Sequence, residues 1–160
     1  MDSEMRLSPE FALTEAMRTV AVLEDPASHE AKFAALQPKK DWKPPFAFYI
    51  PTEDSEETDL DGPAGLQHFT AQLHLVGGTH LGLQLLCRRA KKAVRDMTGE
   101  TYSTEEETQP WGSILVEEAR AAQTSPDLYD AGVGLYRRVY TVQIDYQTEE
   151  VYEDEEVPSA

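Results

Sequence analysis

Polar and apolar residues alternate from Gln67 to Val76, with Phe69, Ala71, Leu73 and Leu75 on one face and His68, Thr70, Gln72 and His74 on the other. A period of two predicts a half-buried strand. The same period returns in Leu135 to Tyr146, where Tyr136, Tyr140, Val142, Ile144 and Tyr146 face one way. Between these segments the period changes. After Gly77 and Gly78, Thr79 can cap a helix whose apolar stripe is Leu83, Leu86, Cys87, Ala90, Val94 and Met97, ending before Gly99.

Upstream, Ser8 as cap and Pro9 at the first helical position open a pattern of Leu13, Ala16, Met17 and Val20 that predicts a helix from about 9 to 23. Asp25 followed by Pro26 is a weaker helix start, leading into SHEAKFAAL with Phe33 and Leu36 available for packing. Gln37 to Pro45 carries three prolines and reads as an extended connection. Phe46 to Ile50 is a short aromatic and β-branched strand ended by Pro51, and Ser113 to Glu117 is another short strand. The order helix, strand, strand, helix, strand, strand implies an α+β fold, a mostly antiparallel sheet of about four to five strands with helices packed on one face.

A length of 160 residues fits one core. The expected organisation is a single domain over 1–148, its first 45 residues helical with an extended linker, followed by an acidic tail over 149–160. Nothing from Met1 to Leu13 reads as an export signal, and no segment approaches the ~18 apolar residues of a membrane span, so synthesis and assembly in the cytoplasm are expected.

Charge changes the picture more than length does. The net charge of −16 disfavours binding to nucleic-acid phosphates. Half of the 30 acids lie in three short runs: 52–61 (Glu53, Asp54, Glu56, Glu57, Asp59, Asp61), Glu105 to Glu107, and 149–156. Such runs read as loops and a tail. Against them stands one cationic outlier, in which Arg88, Arg89, Lys91, Lys92 and Arg95 are five of the 14 cations within eight residues of the predicted second helix. That face has two readings, a solvated surface or a docking surface for acidic partners. In a ring of identical subunits the second gains weight, because every copy carries both signs.

Candidate chemistry is sparse. Cys87 lies on the predicted buried stripe, where a free thiol behaves as a small hydrophobe. His68 and His74 stand six residues apart on a strand, about 20 Å, too far to share one metal ion. The run at 52–61 offers oxygen ligands but not the alternating acids and closing glutamate of a calcium loop. The acids are too numerous to single out a catalytic carboxylate pair, and Gly77-Gly78 and the GVG at 132–134 are too short for a phosphate loop. No cofactor, metal or catalytic group is expected, and the chain reads as a non-enzyme.

Two ordered stretches carry a family resemblance. DLDGPAGLQHFTAQLHLVGGTHLGLQLLCRRAKKAV, residues 59–94, sets Gly62, Pro63 and Gly65 as a turn before an alternating strand and a basic helix. DLYDAGVGLYRRVYTVQIDYQ, residues 127–147, sets Gly132 and Gly134 as a second turn before Tyr136, Arg137, Arg138 and a last alternating strand. Together with PPFAFYIP at 44–51 they cover roughly half of the chain, and in this order they resemble the bacteriophage tail terminator family. The resemblance implies a fold related to tail tube subunits. It also implies a hexameric ring that stops tail tube polymerisation and joins the tail to the head connector, with DNA passing through the lumen and a place in the virion neck. The first 45 residues and the acidic end depart from that pattern. On this reading the acidic run at 52–61, the cations of the basic helix and Tyr136, Arg137 and Arg138 are the expected contacts between subunits and with the tube and connector proteins. The alternatives are a head completion or stopper protein of the neck, a soluble acidic adaptor or DNA-mimic inhibitor, and a small metal-dependent enzyme.

Overall fold

The structure, a computed structural model, describes residues 8–59, 62–106 and 109–150. Seven strands form one curled mixed sheet with two helices on one face. The elements are α1 (Pro9–Arg18), a 3-10 turn (Ala21–Leu23), β1 (Phe33–Ala35), β2 (Phe46–Asp59), β3 (Gly62–Gly77), α2 (His80–Arg95), β4 (Thr101–Glu106), β5 (Gln109–Gln123), β6 (Leu128–Asp130) and β7 (Leu135–Glu150). The strand order is β1-β2-β3-β7-β5-β4, and β6 pairs with the start of β7. All neighbours are antiparallel except β1 and β2.

The core follows the two periods of the sequence. On the covered face of the sheet, Ala71, Leu75, Ile114, Val116, Val142 and Ile144 lose all exposure. They meet Leu83, Leu86, Ala90 and Val94 of α2, also wholly buried, and the Leu13 and Met17 side of α1. Each such aliphatic side chain contributes ~1.5–3 kcal/mol by leaving water. Thr79 caps α2 as the sequence predicts, its Oγ1 accepting from the Gly82 amide at 2.9 Å. The close seat of the helix on the strand end is possible because residue 77 is glycine: a Cβ there would stand 2.8 Å from the Leu83 nitrogen.

Several expectations are corrected. The first helix stops at Arg18, and the chain continues through Val20 in extended form into the 3-10 turn. The Asp25-Pro26 signal starts no helix: Asp25 Oδ1 accepts from the Ala27 amide and its carbonyl from His29, closing a turn, and Phe33 to Ala35 then pair with β2. Pro51 does not end β2. A bulge between Pro51 and Glu53 lets the strand go on through Asp59, so the acidic run is strand rather than loop. Likewise Glu105 and Glu106 belong to β4, β5 runs far beyond Ser113 to Glu117, and β7 runs past Tyr146 to Glu150. The strand count among the described residues rises to seven because β1, β4 and β6 pair with the predicted strands. No helix among the described residues is long and apolar enough to cross a membrane.

Candidate interaction surfaces

The long strands put charge in particular places. The hairpin of β2 and β3 closes beyond Asp59 and Gly62, that of β4 and β5 beyond Glu106 and Gln109, and β7 ends where Glu150 pairs with Gly112. All three lie at the same end of the sheet, so the described parts of the three acidic runs converge there. Glu53 and Asp54 are exposed, and Asp54 accepts from the Tyr146 hydroxyl at 2.9 Å. Glu56, Glu57 and Asp59 follow along the β2 backbone, whereas Asp61, Glu107 and the acids from 153 onward lie outside the described residues.

Gly62 and Pro63 are paired strand residues opposite Asp59 and Thr58, and Gly65 also lies in β3, so the turn expected at Gly62, Pro63 and Gly65 is not at these positions. The second turn keeps its glycine logic at one position. Gly134 has φ of 68° and donates to the Asp130 carbonyl at 2.7 Å, while Gly132, which lacks a positive φ, donates to Asp130 Oδ1 at 3.0 Å.

Arg88, Arg89, Lys91, Lys92 and Arg95 all stand exposed on α2. Lys92 pairs with Asp96 at 2.8 Å, and no ion pair engages the other four among the described residues. The helix also carries exposed apolar groups that its buried stripe does not predict. Leu81 is 75% exposed and Leu85 41% exposed, respectively two turns and one turn before the cations. Sequence reasoning missed them, although their spacing of four, off the buried stripe, was the available signal.

Tyr136, Arg137 and Arg138, expected to act together, are separated by the strand. Arg138 is not an open contact: its guanidinium donates to Asp127 at 2.5 and 2.8 Å and to the Tyr140 hydroxyl at 3.4 Å. That bond, aided by His80 Nε2 at 3.1 Å, holds the Asp127 carboxyl below the usual carboxylate range and ties the start of α2 to the β5-β6 connection. Tyr136 packs against the core and against Tyr129, their ring centroids 4.6 Å apart. Arg137 points to the face without helices and stays exposed.

That open face is polar over β3 and β7, with His68, Thr70 and Gln72 beside Thr141, Gln143 and Asp145. His68 Nδ1 meets Asp145 Oδ1 at 2.7 Å. His74 stacks on Phe48, centroids 4.6 Å apart, and burial followed by the charge of Arg137 lowers its pKa. With His80 at the start of α2, these three of the four histidines sit in three separate settings. Among the described residues no three His, Cys, Asp or Glu groups come together as metal ligands.

Cys87 lies in the core, where burial pushes its thiol up to about 11 and keeps it from the thiolate form. A cleft of about 880 Å³ opens beside the end of α1, with Arg18, Glu24, His29, Lys32, Lys39 and Asp41 among its lining. Its charges are of both signs, and Lys32 Nζ donates to the Lys43 carbonyl at 2.7 Å. What the geometry offers is surface: an acidic end, a cationic helix and an open sheet face. No protein-family model matches the chain, and no curated protein matches it.

Proposed function

We propose that the chain is a ring-forming structural subunit of a long-tailed phage or phage-like particle, a tail terminator that stops tail tube polymerisation and joins the tail to the head connector. The observation that carries this reading is the placement of charge: three acidic strand ends at one end of the sheet and an exposed cationic helix along its covered side. A subunit bearing complementary patches on different sides associates head to tail, and such contacts close into rings when the rotation permits. The family resemblance of residues 59–94 and 127–147 gives the ring its role. Acids facing a lumen would repel passing DNA rather than hold it.

Omission of the protein from particle assembly is the deciding experiment. Tails of uncontrolled excess length beside unjoined filled heads are expected under the electron microscope. Tails of normal length would overturn the reading, and heads that leak DNA without forming tails would assign the chain to the neighbouring stopper ring.

A further inference from the structure

The basic helix and the open edge of the sheet carry the same sequence of surface chemistry at the same heights. The start of α2 is fixed at the level of Arg138, because His80 and Arg138 both bind Asp127. The end of α2 reaches the level of Tyr146, since Gly99, just past the helix, donates to the carbonyl of Val116, which pairs with Tyr146. At ~1.5 Å per helical residue, Leu81 and Leu85 stand about 2–8 Å above His80, and the five cations about 12–22 Å above it.

Among the described residues, no strand pairs with the outer edge of β2 beyond Tyr49, where β1 stops. Leu36, 63% exposed, donates its amide to Tyr49, which is aligned through Leu73 with Tyr140. Glu53 is aligned through Thr70 with Gln143, and Asp54 through Phe69 with Ile144. At ~3.3 Å per strand residue, Leu36 lies about 7 Å above the level of Arg138, and Glu53 and Asp54 about 16–20 Å above it. Apolar groups therefore sit low and charges high on both surfaces, with opposite signs. The two surfaces also lie on different sides of the subunit: α2 packs over β3, β7 and β5, while β2 and the short β1 form the far edge.

We propose that the outer edge of β2, with Leu36, docks against the exposed stripe of α2 in a second copy of this chain related by rotation without a shift along the strands. Leu36 meets Leu81 and Leu85, and the exposed Glu53 and Asp54 meet Arg88 and Arg89. The contact rests on the ring reading above and supplies its lateral interface. It also gives the unpaired cations their counter-charges and covers the part of the β2 edge that β1 leaves bare.

The test uses two charge-reversed full-length chains, R88E/R89E and E53K, analysed by sedimentation and light scattering alone and mixed one to one. Each substitution is at the surface, and circular dichroism melts check that both variants fold. The wild type is expected to assemble, each variant alone to require at least about tenfold more protein to do so, and the mixture to recover assembly, because an alternating ring restores opposite charge at every contact. Assembly of both single variants at the wild-type concentration would overturn this interface and leave the ring reading standing. Loss of assembly without recovery in the mixture would show that the helix or the edge has another partner. A wild type that stays monomeric at every concentration would overturn the interface and the ring together.

Discussion

The two faces of the sheet are made by the same strands and have opposite characters. Along β3, Phe69, Ala71, Leu73 and Leu75 are buried under the helices, while their neighbours His68, Thr70 and Gln72 look out from a face that no helix covers among the described residues. Stability is concentrated on the first face, where close packing makes every methylene count. The second holds a small buried cluster of Phe46, Phe48 and Val76 at one end, while its polar part over β3 and β7 can vary in chemistry at little cost to the fold. Charge follows a similar division, with acids gathered at the strand ends and cations on the helix layer.

Substitutions sharpen that contrast in descending order. Phe69→Ala removes a wholly packed ring from the covered face and is expected to cost ~3–5 kcal/mol, read from the shift of the urea unfolding midpoint. Asp127→Ala leaves the half-buried Arg138 guanidinium without its two bonds and is expected to cost ~1–3 kcal/mol in the same measurement. That pair also sets an acid limit. Because the native Asp127 carboxyl titrates below its ordinary value, its contribution is complete above the ordinary carboxylate range and is lost as pH falls through the lowered native value. A stability profile across pH 2–5 should therefore be flatter in the Asp127→Ala variant.

Thr79→Ala, which leaves the Gly82 amide without its cap, is expected to cost ~1 kcal/mol. The open face should be the least sensitive: Gln143→Ala is expected to fall within ~0.5 kcal/mol of the parent, and a loss comparable to that of Phe69→Ala would break the comparison. His74 adds a small pH term on that face. Its native pKa lies below 6.5, so the unfolded chain takes up its proton first as the solution is acidified. Its contribution is present above pH 6.5 and declines below it, and His74→Phe, which keeps the stack on Phe48, should remove that decline.

The covered face was legible because burial writes a period into the chain. The stripe of α2, its Thr79 cap and the alternating core of β3 and β7 all lie where spacing puts them. Pairing across strands leaves no such mark. The acids after Pro51 carry low strand propensity, and only registration against Thr70, Phe69, His68 and Gln67 of β3 makes them strand. At Asp25 the same residue type that caps helices closes a turn instead, a choice made by the bridge between Glu24 and Ala31. In the candidate surface, the cations were legible as a cluster. The burial of Arg138 was not, because its partner Asp127 stands 11 residues away in a connection whose path only the fold determines.

The open edge of β2 has a colloidal consequence. A bare strand edge is a template on which copies can stack indefinitely, and this one is guarded by Pro51, by two bulges and by carboxylates from Glu53 onward. Proline and bulges work at any pH, but carboxylates repel only while ionised. Acidification that neutralises them would remove the repulsion between edges while lowering the charge that keeps molecules apart, so precipitation on mild acidification would begin at this strand rather than by unfolding of the core.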